Sequence, residues 1–145
     1  MASRLQKELS DFKKKPIEGV TASIVKDNVY NWEFKIAGPA GSPYEGGVFT
    51  LSVECLLDHP RTSPEIEFKT KIYHPNVHAD GSICLECIRK WTPLVTMKKI
   101  VTEVLELLAR PNAEHAVTAD VANAYTESRA VFEDQARKWT AQYAH

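Results

Sequence analysis

The chain has 145 residues, 43% of them hydrophobic and 26% charged, with a net charge of -1. That is enough to bury one full core over a single domain, residues 1–145, and too little positive charge for a protein built to bind nucleic acid. No apolar run approaches the roughly 20 residues of a membrane-spanning helix, and Met1 to Ser10 has no signal-peptide core, so the expectation is a soluble, membrane-free, monomeric protein of the cytoplasm or nucleus.

Leu5, Leu9 and Phe12 recur at helical spacing, and Ser3 with Gln6 fits a capping box, so an opening helix is predicted that ends at Pro16 and turns Arg4, Lys7 and Lys14 outward. Thr21 to Val25, a turn at Asp27-Asn28, then Trp32, Phe34 and Ile36 alternating with Glu33 and Lys35 predict a hairpin with one buried face. Phe49, Leu51, Val53 and Cys55 repeat the alternation, as do Ile66 and Phe68, which makes a meander of four antiparallel strands. Further on, Met97 to Leu108, Val121 to Tyr125 and Val131 to Tyr143 carry helical stripes. Strands first and helices afterwards predict an α+β fold: N-terminal helix, four-stranded antiparallel meander, active-site loop, then three C-terminal helices.

Between strands and helices runs a breaker-rich stretch, Tyr73 to Pro93, which holds a thiol, Cys84, eight residues after an amide, Asn76. Loops on a rigid scaffold are where chemistry usually sits. A thiol there is a candidate nucleophile, and an amide N–H is a candidate donor to a developing oxyanion. Cys84 and Cys87 also form a C-x-x-C, which admits a redox pair or half a zinc site. A structural zinc needs four ligands. No second C-x-x-C is present and His74 and His78 lack finger spacing, so no metal is expected. The odd number of cysteines reads as reduced thiols, with Cys55 a buried strand residue; a Cys84–Cys87 disulfide is suggested by spacing alone.

Several motifs in one order resemble the ubiquitin-conjugating enzyme family. They are Gly38-Pro39, Ser42-Pro43-Tyr44-Glu45-Gly46-Gly47-Val48-Phe49, His74-Pro75-Asn76, Ile83-Cys84-Leu85, Trp91-Thr92-Pro93 and Arg110-Pro111-Asn112. The resemblance implies that Cys84 accepts ubiquitin as a thioester from an activating enzyme, which spends the ATP upstream, so that no cofactor is needed. Transfer then goes to a substrate lysine or a ligase cysteine, with Asn76 donating to the oxyanion and His74 a neutral, loop-shaping residue. It implies that Arg4 and Lys7 dock the activating enzyme, and that Arg61, Pro93 and Leu94 face the ligase. Arg61 stands where many members serving HECT ligases carry Phe, which favours RING or RING-between-RING partners. His115 replaces an Asp of the gate beside the active site, as in some members restricted to cysteine transfer, whereas Glu86 keeps an acid common in lysine-reactive members. A conjugating enzyme for SUMO or NEDD8, or an inactive module that binds ubiquitin or a ligase, is the alternative reading.

Overall fold

A computed structural model describes residues 2–145. The chain forms helix α1 (Ala2–Lys14), strands β1 (Val20–Val25), β2 (Asn28–Ala37), β3 (Val48–Glu54) and β4 (Glu65–Phe68), then helices α2 (Glu86–Arg89), α3 (Met97–Ala109), α4 (Ala119–Glu127) and α5 (Arg129–Tyr143), with a 3-10 turn at Ala113–His115. The strands are neighbours in chain order and every pair is antiparallel. This is the α+β arrangement that the sequence predicts.

Register explains the buried face. Phe34 pairs with Ala22 on one side and Leu51 on the other, Ile36 with Val20 and Phe49, and Trp32 with Ile24 and Val53. Because side chains alternate across a strand, these rows share one face. Trp32, Phe34, Ile36, Phe49, Leu51 and Val53 are all fully buried, in one cluster with Leu5 and Phe12 of α1 and with Ile100, Val101, Val104 and Leu108 of α3. Glu33 and Lys35 project from the opposite face, where they form an ion pair.

Three details differ from the sequence reading. The first hairpin turns at Lys26 and Asp27, both with positive φ (53° and 57°), and Asn28 is already paired with Val25. Two consecutive left-handed residues make the tight turn that matches strand twist, so the turn sits one residue earlier than expected. Helix α1 runs from Ala2, which places Ser3 inside the helix rather than at its cap. A single helical turn, α2, also begins two residues after Cys84.

The sheet edge positions the breaker-rich stretch. Phe68 N–H donates to Gly81 O at 2.7 Å, and Glu67 and Ser82 form an antiparallel bridge. Gly81 has φ +95°, and a Cβ there would fall 2.1 Å from Phe68 O, so only glycine allows this approach.

Candidate active site

His74 anchors the stretch from below. Its Nδ1 accepts from Asn76 N–H at 2.9 Å and its Nε2 faces Leu107 O at 2.6 Å. A carbonyl only accepts and an amide N–H only donates, so the ring is the neutral Nε2–H tautomer. Burial pushes its pKa from 6.5 down to about 4, while the bond to Leu107 opposes the shift. Tyr44 stacks on this imidazole and donates its hydroxyl to Tyr73 O at 2.6 Å. Both ring nitrogens are therefore occupied, as a structural, uncharged His74 requires.

Asn76 is buried and ties the stretch to the loop before α4. Its Nδ2 donates to Asn112 O at 2.8 Å and to His115 O at 3.1 Å, and its Oδ1 accepts from Asn112 N–H at 2.8 Å. Both amide hydrogens are thus used on backbone carbonyls. Val117 N–H adds a bond to Pro75 O at 2.9 Å, and Thr118 Oγ1 one to Val77 O at 3.3 Å. The loop carrying His115 is thereby fixed beside Cys84, whose own N–H donates to Asn76 O at 3.4 Å.

Of the three thiols, Cys84 is half-buried and the other two are buried. Burial pushes Cys55 up to about 12. Burial, joined by the neighbouring Glu103 carboxylate, does the same to Cys87. Neither yields much thiolate near neutral pH, and the thiolate is the nucleophile. Cys84 opens into a cleft of about 880 Å³ whose walls include Asn76, Glu86, Glu103, Asn112 and His115. Four residues that the sequence singles out, Cys84, Asn76, Glu86 and His115, thus meet in one cleft. Glu86 is exposed there and pairs with Lys90 at 3.0 Å, a contact that holds its carboxyl below the usual range. No group of side chains suited to hold a metal occurs among the described residues.

The ancestry of this arrangement is decided by comparison. A family model described as ubiquitin-conjugating enzyme matches residues 4–140. The chain belongs to the ubiquitin-conjugating enzyme family. A ubiquitin conjugating enzyme E2 domain from Toxoplasma gondii is 37% identical, with a TM-score of 0.90 over 99% of this chain and 98% of that one. A Plasmodium yoelii structure assigned to the ubiquitin conjugating enzymes is 38% identical, with a TM-score of 0.91 over 98% of this chain and 94% of that one.

In this member of the ubiquitin-conjugating enzyme family the five residues expected to meet partners lie outside the cleft. Arg61, Pro93 and Leu94 are exposed on two loops joined by Trp91, whose Nε1 donates to Pro60 O at 2.9 Å while its ring packs on His59. Lys7 is exposed on α1. Arg4 is half-buried instead: it reaches Glu8 at 3.5 Å and donates to Val95 O at 3.2 Å, which ties α1 to the Leu94 loop. Sequence reasoning missed Glu103 and Glu8. Glu103 accepts from the N–H groups of Glu86 and Cys87, and Glu8 accepts from Met97 N–H at 2.8 Å. Each contact joins residues far apart in the chain, so no local pattern announces it.

Proposed function

We propose that this chain accepts the C-terminal carboxyl group of ubiquitin on Cys84 and passes it to a ligase cysteine in preference to a free lysine. What carries the reading is that Cys84 alone among the three thiols opens into the cleft, beside a gate loop held by Asn76. The Cys84 thiolate attacks the thioester carbonyl on the activating enzyme, the tetrahedral adduct collapses, and the activating enzyme's thiolate leaves. One thioester replaces another of similar energy, so the step calls for neither ATP nor a metal. An attacking amine builds a tetrahedral oxyanion, and for Asn76 to donate to it the amide would have to give up one of its two bonds, the longer being that to His115 O.

Two features favour cysteine as acceptor. An imidazole at His115 does not supply a fixed negative charge to orient an amine, and Glu86, the acid nearest Cys84 in sequence, is paired with Lys90. The exposed Leu94, at 88% accessibility, offers an apolar contact to a RING or RING-between-RING ligase, while Arg61 puts a charge where a HECT partner would meet an aromatic anchor. Lys7, with Arg4 already engaged, carries the docking of the activating enzyme.

A charging assay tests this: protein, activating enzyme, ATP and ubiquitin, resolved on a nonreducing gel and chased with free cysteine or free lysine. A reducible adduct that is lost in Cys84→Ala and discharged by cysteine far faster than by lysine is expected. Equal discharge by lysine would remove the acceptor preference. No adduct with ubiquitin, followed by charging with SUMO or NEDD8 and their own activating enzymes, would reassign the modifier, and failure with all three would leave a binding module.

A further inference from the structure

The helical turn after Cys84 lacks a cap of its own. Leu85 occupies the N-cap position with extended φ/ψ (-114°, 137°), and its aliphatic side chain accepts no hydrogen bond. The first N–H groups of a helix have no partner within the helix, and a turn of four residues is too short to persist on its own hydrogen bonds. Those groups are met from across the cleft. The two carboxylate oxygens of Glu103, on the middle of α3, accept separately from Glu86 N–H and from Cys87 N–H, the latter at 3.0 Å. Glu103 also lines the cleft together with Cys84.

Cys84 is therefore held from two sides. Upstream, its N–H is bonded to Asn76 O; downstream, after one residue, the chain is pinned to α3 by Glu103. We propose that Glu103 is a positioning residue for the Cys84 nucleophile, a cap supplied from helix α3 that fixes the direction in which the thiol leaves the backbone. This rests on the reading that Cys84 carries the thioester. A carboxylate suits the task because it has two acceptors and meets the positive end of the turn, so each oxygen can take one N–H. Glutamine in its place keeps one acceptor oxygen and turns an amide N–H toward the other donor.

The variants Glu103→Gln and Glu103→Ala are compared with wild type in three measurements. Amide hydrogen exchange reads the N–H groups of Glu86 and Cys87. Alkylation by iodoacetamide reads the reactivity of Cys84 without any partner. Single-turnover transfer from the ubiquitin-loaded activating enzyme gives a maximal rate and a half-saturating concentration, with thermal unfolding as the control for folding. Expected are lost protection at Glu86 and Cys87, an altered alkylation rate, and a maximal transfer rate down by roughly 10-fold or more in Glu103→Ala at unchanged half-saturation. Glu103→Gln falls between Ala and wild type. Folded variants with wild-type maximal rates, or losses that follow only the fraction unfolded, would overturn the proposal. Should wild type fail to charge at all, the thioester reading fails, and the exchange and alkylation results still decide whether Glu103 positions Cys84.

Discussion

His74 shows how the fold sets the state of a single residue. Its pKa lies near 4 in the folded chain against 6.5 for the free group, so between those values the unfolded chain binds more protons than the folded one. Stability linked to the neutral ring is complete above about 6.5 and is lost as pH falls toward and through about 4. Between pH 7 and pH 5 wild type is expected to lose about 2 kcal/mol more than His74→Gln, read from urea midpoints at the two pH values. A parallel loss in both proteins would mean that other groups carry the acid sensitivity. The expectation of a neutral His74 comes from its position before a proline within the family motif, and the partners of both ring nitrogens agree with a neutral ring. Its bond to Leu107 O was not legible there, because α3 delivers that carbonyl from 33 residues away.

At the scale of elements, helix ends depend on carboxylates from other segments. Helix α3 begins with Thr96, whose side chain accepts from Lys99 N–H at 3.2 Å, and Glu8 of α1 satisfies the next donor, Met97 N–H. Glu8 also meets Arg4, which in turn bonds Val95 O, so α1, the Leu94 loop and α3 are joined through one pair of side chains. Glu8→Ala is expected to cost about 1 kcal/mol, the usual worth of a cap, and to raise hydrogen exchange at Met97; a protein unchanged in both would show that water replaces the carboxylate at no cost. Helical stripes located α1, α3, α4 and α5 in the sequence. Helix α2 escaped notice because a stripe needs more residues than its single turn contains.

For the molecule as a whole, the candidate site meets the sheet edge at Gly81 and Ser82, and the closest approach is at the glycine. Gly81→Ala would combine left-handed strain with a clash against Phe68 O, whereas Gly41→Ala, at φ +82° with nothing within 4 Å of the added carbon, carries the strain alone. The second substitution is expected to cost about 1 kcal/mol and the first at least about 2 kcal/mol, both from urea midpoints. Equal losses would indicate that the Tyr73 to Pro93 stretch relaxes away from β4 without penalty. The sheet's rows of Trp32, Phe34 and Ile36 against Val53, Leu51 and Phe49 bind strand order to the core. They leave the sheet edge at β4 free to take up the site.

Sequence by itself determined the order and kind of the elements other than α2, the face each buries, the resemblance to the family, and Cys84 as candidate nucleophile. Alternation, helical spacing and motif order are local properties, readable wherever neighbouring residues agree. Tertiary structure alone decided that Asn76 spends its amide on Asn112 and His115, that Arg4 is engaged while Lys7 is exposed, and that Glu103 caps the turn after Cys84. These are hydrogen bonds between residues 16 to 91 positions apart. Whether a polar side chain meets such a partner depends on how the sheet and helices bring their backbones together, which no pattern within one segment encodes.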